Sequence, residues 1–159
     1  MVSLDKTDLK ILQVLQAEAR ITNQDLAERV SLSPSSCLQR VRRLEQNGIL
    51  MSYHARINLV EICRHNVFIA TVSLKNHSRQ IFDDFEKLVK SMPEVVECYT
   101  VSGEFDFFLK IICPDMNHYL KINETLLSVA DRSITIKTHV VMDENKIYSS
   151  VDLASLYGG

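Results

Sequence analysis

Residues 31–49 read SLSPSSCLQRVRRLEQNGI, a stretch that predicts a tight turn followed by a capped helix. Ser33 belongs to the residue types that cap a helix, and Pro34 suits the first helical position because the N–H that proline lacks would have no partner there. Asn47-Gly48 favours the left-handed backbone that ends a helix. We therefore expect a helix that begins after Ser33 and ends at Asn47-Gly48.

This helix has an apolar side and a polar, basic side. The apolar side consists of Cys37, Leu38, Val41 and Leu44. The other side consists of Ser35, Ser36, Gln39, Arg40, Arg43 and Gln46, with Arg42 on a flank, and no carboxylate precedes Glu45. Hydroxyls, glutamine and arginine suit base edges and phosphates, and the amides at a helix N-terminus suit a phosphate. The pattern favours a DNA-recognition helix over the alternative, a helix face that is only solvated.

Two shorter helices are expected before it. The first begins at Leu4-Asp5, carries acidic residues in its first turn, where they favour the positive end of the helix dipole, and extends to about Ala19. The second begins at the N-cap residue Thr22. Two short helices, a tight turn and a further helix form a helix-turn-helix.

Residues 49–57 contain alternating apolar and polar side chains, which predict one or two short strands that form a small wing or a linking strand. Arg56 in this stretch is a candidate contact to the DNA backbone, and a polar connector follows at residues 58–65. The predicted domains are 1–52 (helix-turn-helix), 53–65 (linking strand and connector) and 66–159 (second domain).

The second half alternates β-prone runs with amphipathic helices. The expected strands are Val67–Leu74, Val95–Val101, Phe107–Cys113 and Ile134–Met142, and the expected helices are Ser78–Met92 and Met116–Val129. The order β-α-β-β-α-β is that of a ferredoxin-like unit, in which two helices cover one face of an antiparallel four-stranded sheet. Together with the helix-turn-helix, this order predicts an α+β fold.

The uncovered face of such a sheet lacks a partner within the chain. Apolar residues occupy both faces at 67–70 and at 140–142, so we expect the uncovered face to pack against a second copy of the chain. A two-fold dimer would also present two recognition helices to two half-sites about one helical turn apart.

Residues 100–106, TVSGEFD, form the other informative stretch. Its backbone amides and the Asp106 carboxylate could hold the carboxylate and the ammonium of an amino acid. The alternative is a structural hairpin, in which Gly103 makes the turn and Asp106 accepts a hydrogen bond from the backbone. From these residues alone both interpretations stay open.

Charge is unevenly distributed along the 159 residues. The formal net charge of −2 by itself argues against a nucleic-acid partner. Residues 1–65, however, hold nine Lys and Arg against seven Asp and Glu, a net charge of +2, whereas residues 66–159 hold nine against thirteen, a net charge of −4. The asymmetry predicts two domains with different partners.

The composition indicates a globular protein outside the membrane. No stretch approaches the roughly 18 apolar residues of a membrane span, and charged residues near the N-terminus argue against a signal peptide, so we expect a cytoplasmic protein. The four cysteines form no C-x-x-C motif, which predicts reduced, mostly buried thiols. Cys63 and His65 without a second nearby pair are weak evidence for a metal site, so no metal is expected.

An enzyme is the main alternative from a different class. It would use Glu104, Asp106, Asp115 and His118 for acid–base or metal chemistry. No nucleophile–base pair, phosphate-binding loop or H-E-x-x-H motif accompanies these residues, so no enzymatic activity is expected.

Three motifs together carry a family resemblance. They are Leu4-Asp5 through Ile11-Leu12, the stretch at 31–49, and Val101-Ser102-Gly103-Glu104-Phe105-Asp106. In this order they resemble the Lrp/AsnC family of bacterial and archaeal transcription regulators, also called feast/famine regulatory proteins, over nearly the whole chain. The resemblance implies an N-terminal winged helix-turn-helix that binds DNA and a C-terminal ferredoxin-like RAM domain that dimerises and senses amino acids. It also implies further assembly, often into octamers, with allosteric effectors bound between dimers.

Site residues follow from the resemblance by position. The candidate DNA contacts are Ser33, Ser35, Ser36, Gln39, Arg40, Arg42, Arg43 and Arg56. The candidate effector contacts are Thr100, Ser102, Gly103, Glu104, Phe105, Asp106 and Met116, with Thr135 and Ile136 of a neighbouring subunit. Met, Phe and Ile around the turn favour leucine or methionine as the effector, and no other cofactor is expected.

The sequence departs from the family pattern at two places. Ser31 stands where many members have glycine, and Asp131-Arg132-Ser133 replaces a glycine-containing turn near the expected assembly interface. The second departure leaves oligomeric state and effector choice open. The expected function is a sequence-specific transcription regulator of amino-acid metabolism, modulated by an amino acid. The alternatives are an effector-independent architectural, nucleoid-type DNA-binding protein and a stand-alone amino-acid-sensing module, which would leave the helix-turn-helix unexplained.

Overall fold

The computed structural model describes residues 3–75, 78–128, 134–148 and 150–157. It divides into two compact units, one formed by Met1–Ile57 together with Lys146–Gly159 and the other by Asn58–Asn145. This division differs from the predicted second domain, 66–159, at the carboxyl end, where the last residues return to the first unit. No local signal in the sequence marks this return.

The elements follow the predicted order, except that a 3-10 turn and a final helix are added and the strands predicted at 49–57 are missing. They are α1 (Lys6–Ala17), α2 (Asn23–Arg29), α3 (Pro34–Gln46), a 3-10 turn (Leu59–Glu61), β1 (Asn66–Leu74), α4 (Arg79–Ser91), β2 (Val95–Thr100), β3 (Phe107–Cys113), α5 (Met116–Leu127), β4 (Ile134–Val140) and α6 (Leu153–Tyr157). Helix α6 was not expected. The predicted end of α5 at Val129 and the turn Asp131-Arg132-Ser133 lie outside the described residues.

Side-chain caps start the three helices of the first unit where the sequence predicts. Ser33 Oγ accepts the Ser36 N–H at 3.3 Å at the start of α3, and Thr22 caps α2. At the start of α1, the Asp8 N–H donates to Asp5 Oδ1 at 2.8 Å and the Asp5 N–H donates to Asp8 Oδ2 at 3.1 Å. Such reciprocal bonds satisfy backbone donors that have no partner inside the helix.

The turn between α2 and α3 passes through Ser31 with a φ of 59°, the left-handed region that favours glycine. Its N–H donates to the Glu28 carbonyl at 3.1 Å, and the Leu32 N–H donates to the Ala27 carbonyl at 2.9 Å. At the other end of α3, Gly48 has a φ of 66°, as predicted for the helix stop.

One apolar core joins the helices of the first unit. It consists of Ile11, Leu12, Leu15, Leu26, Ala27, Val30, Cys37 and Leu44, and Leu153 of α6 packs against it. Leu38, predicted on the apolar side of α3, is instead 37% exposed, because its position lies at the edge of the contact with the other helices.

The short strands predicted at 49–57 are absent from the described structure. Residues 51–58 form neither helix nor strand. A strand needs a hydrogen-bonded neighbour, and no segment of the described chain pairs with this one. Tyr53 nevertheless fastens the segment to α3 by donating its hydroxyl to Glu45 Oε1 at 2.9 Å. Burial and the Glu45 carboxylate raise the pKa of Tyr53 to about 12.

The second unit contains a four-stranded sheet with the order β2-β3-β1-β4. Every neighbouring pair is antiparallel. This order and the two connecting helices confirm the predicted ferredoxin-like unit. A β-bulge between Val95 and Glu97 interrupts the pairing of β2 with β3.

Helices α4 and α5 cover one face of this sheet. Alternate residues of β1 and β3 are buried beneath them, among them Phe68 and Phe107. Phe68 stacks on Tyr119 of α5 with ring centroids 4.1 Å apart, and Phe107 packs on Phe85 of α4 at 4.6 Å. Aromatic contacts thus attach both helices to the sheet.

No helix or strand among the described residues of the second unit covers the opposite face of the sheet. Cross-strand pairing places Ile69 beside Lys110 and His139, and Thr71 beside Phe108 and Lys137. The face therefore mixes apolar and charged side chains. Of the four cysteines, Cys37 and Cys113 are buried whereas Cys63 and Cys98 are exposed, so the prediction of mostly buried thiols holds for half of them.

Candidate functional site

The amino-terminal end of α3 is an exposed cluster of hydroxyl groups. The hydroxyls of Ser33 and Ser35 are hydrogen bonded at 3.2 Å, and Ser35 is exposed. Asn23 Nδ2 donates to the Pro34 carbonyl at 2.8 Å, which ties α2 to the first turn of α3. The first turn contains no acidic residue, so no carboxylate from within the turn competes for this end of the helix. Such an end suits a phosphate oxygen.

Gln39 and Arg42 continue the exposed side of α3. Both side chains are exposed, and neither forms a hydrogen bond or ion pair with any residue that the structure describes. Arg56, the candidate from the connector, is also exposed and without such a partner among the described residues. These side chains are available to a DNA molecule.

Arg40 and Arg43 are placed differently from the prediction. Arg40 Nη1 lies 2.6 Å from Asp5 Oδ2 and 2.8 Å from Asp8 Oδ1, and Arg43 Nη2 lies 2.5 Å from Asp8 Oδ2. Both arginines thus turn toward α1 rather than straight outward, because a buried carboxylate draws them there. The spacing within α3 could not show this, since the acidic partners belong to another helix.

Electrostatics reinforce this network. The Asp8 N–H and the Arg40 guanidinium hold the pKa of Asp5 below its ordinary value. Hydrogen bonds to Asp5 and Asp8 raise the pKa of Arg40. Among the residues that the structure describes, Asp8 is the one charged residue that is buried, with 1% of its surface exposed.

The turn at 101–106 is fastened to β1 by its own backbone and by Asp106. The Val101 N–H donates to the Asp106 carbonyl at 2.9 Å, and the Asp106 N–H donates to the Val72 carbonyl at 2.8 Å. Asp106 Oδ2 accepts the Leu74 N–H at 2.7 Å. Gly103 has a φ of 128°, which a residue with a side chain rarely adopts. The structural role weighed for this turn is therefore present in the fold.

Glu104 links the same turn to β4. Its Oε1 lies 2.8 Å from Lys137 Nζ, and this ammonium lowers the pKa of Glu104. The Glu104 carbonyl accepts a hydrogen bond from Ser73 Oγ at 3.4 Å, and Ser73 pairs with Thr135 across the strands. The predicted effector residues Glu104 and Thr135 thus lie at the same end of the sheet.

The remaining candidates do not all meet there. Ile136 lies on the covered face, where it is partly buried and packs against the core, so only part of its side chain is open to a ligand. Met116 is 48% exposed but follows the far end of β3, about 20 Å from the turn at a rise of about 3.3 Å per residue. Within one chain, therefore, neither Met116 nor Ile136 joins the turn.

Thr100 lines a shallow crevice of about 180 Å³ between α4 and β2. Its other lining residues are Glu86, Val89, Lys90 and Cys98. Desolvation of the sulfur in this crevice and the nearby Glu86 carboxylate raise the pKa of the Cys98 thiol, although the residue as a whole is exposed. Sequence reasoning found Thr100 but not this crevice, because a helix packed on an edge strand leaves no local pattern.

Across the residues that the structure describes, no group of three or more His, Cys, Asp or Glu side chains could hold a metal ion. None of the helices in this part of the chain is long and apolar enough to cross a membrane.

A capped helix-turn-helix with an exposed polar recognition helix, together with a ferredoxin-like unit, defines a DNA-binding protein with a separate second domain. Residues 4–51 match the winged helix-turn-helix DNA-binding family, and residues 67–151 match the Lrp/AsnC ligand binding domain family. The chain belongs to the Lrp/AsnC family of transcriptional regulators. The resemblance proposed from the three motifs is thereby confirmed.

Its relatives agree with this assignment. The chain is 40% identical over 144 residues to the leucine-responsive regulatory proteins of Escherichia coli K12 and Klebsiella pneumoniae, an alignment that covers 90% of this chain and 87% of each relative. A Neisseria meningitidis transcriptional regulator solved with L-methionine has a TM-score of 0.87 and 37% identity, covering 97% of this chain and 99% of that one. An AsnC family regulator from Agrobacterium tumefaciens has a TM-score of 0.86 and 27% identity, covering 96% and 99%.

Proposed function

We propose that this regulator controls genes of amino-acid metabolism by binding specific DNA sites, and that a small amino acid, leucine or methionine, modulates its assembly or its DNA binding. The observation that carries the proposal is the exposed side of α3, where the hydroxyl of Ser35, the carboxamide of Gln39 and the unpaired Arg42 lie along one line of the helix. The protein acts in the cytoplasm and has no enzymatic activity of its own.

Recognition of DNA rests on the exposed side of the helix-turn-helix. The contacting residues are Ser33, Ser35, Ser36, Gln39 and Arg42, with Arg56 on the backbone of the DNA. Short hydroxyls and glutamine donate to and accept from base edges, whereas arginine binds phosphate or guanine. Arg40 and Arg43, the other two arginines of α3, are bound to Asp5 and Asp8 and stand outside this set of contacting residues.

The effector binds at the turn between β2 and β3. Support comes from the turn itself: its residues Ser102 to Phe105 offer backbone amides, and Glu104, Asp106 and Thr135 belong to the same end of the sheet. An amino acid offers a carboxylate to the amides and an ammonium to Asp106. Two relatives of similar fold were solved with L-methionine, the Neisseria regulator and a feast or famine regulatory protein of Mycobacterium tuberculosis. Met116 and Ile136 join this site only through a neighbouring subunit.

Dimerisation uses the uncovered face of the sheet. Val67, Ile69, Phe108 and Ile112 place apolar surface there, and no element of the second unit shields it. A second copy on this face brings two helix-turn-helix units to one DNA duplex. Four such dimers form an octamer, whose contacts between dimers contain the effector turn.

The proposal is tested by selecting DNA duplexes from a random pool and measuring their affinity with and without each of the twenty amino acids. We expect a recurrent motif, and we expect leucine or methionine to change either affinity or the assembly state seen in sedimentation. Arg42→Ala should weaken binding, whereas Arg79→Ala, an exposed arginine at the start of α4, is the matched charge control and should not.

The outcomes separate the candidates. Specific binding that no amino acid alters would favour the effector-independent architectural protein. Tightest binding of a charged amino acid in calorimetry would contradict the preference for leucine or methionine. Failure to enrich any duplex, with the chain folded, would overturn DNA recognition itself.

A further inference from the structure

Helix α3 presents two polar stripes with different surroundings. Ser35, Gln39, Arg42 and Gln46 are spaced by four, three and four residues, so they lie along one line of the helix, and all four are exposed. Ser36, Arg40 and Arg43 form a second line beside it. The second line is the one that faces α1.

The second stripe is fixed by a buried acid. Asp8 uses Oδ1 for Arg40 at 2.8 Å and Oδ2 for Arg43 at 2.5 Å, and Oδ2 also accepts the Asp5 N–H at 3.1 Å. Asp5 Oδ2 holds Arg40 a second time at 2.6 Å. Two guanidinium charges are thus balanced by two carboxylates within hydrogen-bond distance.

This pairing of charges makes it unfavourable for either arginine to leave Asp8 and bind DNA. If Arg43 left for a phosphate, Asp8 would keep its charge at 1% exposure with one partner fewer, and removing one partner of a buried ion pair is strongly unfavourable. Arg42 has no such tie among the residues described. Helix α3, with three arginines in its sequence, therefore presents one uncompensated positive charge.

We propose that Asp8 is a positioning residue for DNA recognition: it withholds Arg40 and Arg43 from the DNA and leaves Arg42 as the phosphate-binding arginine, flanked by Ser35, Gln39 and Gln46. The inference rests on the proposed function, since it assumes that α3 binds DNA. The two polar stripes of α3 thus have different roles: the stripe with Arg40 and Arg43 packs α3 on α1, and the stripe with Arg42 binds DNA.

The test measures how the affinity for a fluorescently labelled random-sequence duplex depends on salt, because non-specific binding reports phosphate contacts. Each phosphate contact contributes about 0.9 to the slope of log affinity against log salt. We expect Arg42→Ala to lower the slope by about that amount for every subunit bound. Arg43→Ala should lower the thermal midpoint of the amino-terminal unit and leave the slope as it is.

Asp8→Asn should change the slope of log affinity against log salt in the opposite direction, which a purely structural role of Asp8 would not produce. It frees two guanidinium groups, so we expect a steeper slope than in the unchanged protein. If circular dichroism shows that this variant does not fold, Asp5→Asn replaces it, because Asp5 is 52% exposed and its loss frees one bond of Arg40. A slope that stays equal or falls in the folded variant would overturn the role of the acidic residues.

Two failures are distinguishable. A chain that shows no salt-dependent binding to any duplex contradicts the proposed function. A chain that binds, but in which Arg43→Ala flattens the slope as much as Arg42→Ala, leaves the proposed function standing and overturns the positioning role of Asp8.

Discussion

The carboxamide of Gln16 forms two hydrogen bonds with the backbone of Val151. Gln16 Nε2 donates to the Val151 carbonyl at 3.2 Å, and the Val151 N–H donates to Gln16 Oε1 at 3.0 Å. One side chain of α1 thereby satisfies both backbone groups of a residue 135 positions away. The Leu4 N–H donates to the Tyr157 hydroxyl at 2.9 Å, so the carboxyl-terminal segment also contacts the residues just before α1.

Gln16→Ala should detach this segment. Loss of two partly buried hydrogen bonds is expected to lower the free energy of unfolding of the amino-terminal unit by about 1–2 kcal/mol. Urea denaturation measures that loss, and hydrogen exchange should show faster exchange of the Val151 amide. Gln13→Ala is the control, because Gln13 is an exposed glutamine of the same helix without a hydrogen bond among the described residues. Equal effects of the two changes would contradict the role of Gln16.

Ser31→Gly should stabilise the protein. Ser31 has a φ of 59°, and the left-handed conformation costs a residue with a Cβ about 1–2 kcal/mol, part of which glycine loses again through the greater entropy of the unfolded chain. We therefore expect a gain of up to about 1 kcal/mol in the free energy of unfolding. Ser31→Ala is the comparison, since alanine keeps the Cβ and removes only the hydroxyl. A glycine variant less stable than the alanine variant would refute this explanation.

Sequence signals predicted the parts of the fold that depend on near neighbours. Ser33-Pro34 started α3 as expected, and the β-prone runs of β1 and β3 became strands, because caps and alternation act over a few residues. Partners distant in sequence were not predictable. The direction of the Arg40 guanidinium depends on Asp8, 32 residues away. The return of the carboxyl-terminal segment to α1 depends on Gln16.

The same reason explains the outcome for the candidate ligand site. The motif at 101–106 predicted a turn, and the turn is there, but its environment comes from β1 and β4. Spacing alone could not show that Asp106 holds the Leu74 N–H or that Ile136 faces the core. The strands predicted at 49–57 failed because alternation shows a suitable face and does not supply a hydrogen-bonding neighbour.

Asp106 can be tested for ligand binding separately from its structural bond. Asp106→Asn keeps an oxygen that can accept the Leu74 N–H but removes the negative charge, whereas Asp106→Ala removes both. We expect the asparagine variant to keep its thermal midpoint close to that of the unchanged protein and to lose calorimetric binding of L-methionine. The alanine variant should lose both. Retained methionine binding in either folded variant would place the ammonium site elsewhere.

Glu94 should make stability depend on pH in acid. A hydrogen bond with His118 Nε2, 3.0 Å away, lowers the pKa of Glu94 in the folded protein below the ordinary 4.5. The stability that this depressed pKa contributes is present at pH values above the pKa of Glu94 in the unfolded chain, 4.5. It is lost as the pH falls through 4.5 toward the lower pKa of Glu94 in the folded protein. Glu94→Gln should therefore lower the thermal midpoint above pH 4.5 and converge with the unchanged protein in acid. Glu124 is an exposed carboxylate on the helix of His118, so the control Glu124→Gln should leave the thermal midpoint close to that of the unchanged protein at every pH.

Tyr119 and Thr138 join α5 to β4 by a hydrogen bond between their hydroxyls beneath the helix-covered face. Tyr119 is 4% exposed, and burial raises the pKa of its phenol. Tyr119→Phe keeps the stacking on Phe68 but removes the hydrogen bond to Thr138, whose residue is exposed, so we expect a loss of about 1 kcal/mol in the free energy of unfolding. Thr138→Val should cost a similar amount, because it leaves the phenol unsatisfied.

The double variant, Tyr119→Phe with Thr138→Val, distinguishes a hydrogen bond from simple loss of packing. Removing both partners replaces the polar pair by apolar groups of similar shape, so no buried hydroxyl is left unpaired, and the double variant should lose less than the two single losses combined. Denaturation of all four proteins in urea measures the coupling. Strict additivity would mean that the two hydroxyls do not depend on each other, and α5 would then be attached to the sheet by the stacking of Tyr119 on Phe68 and its apolar neighbours alone.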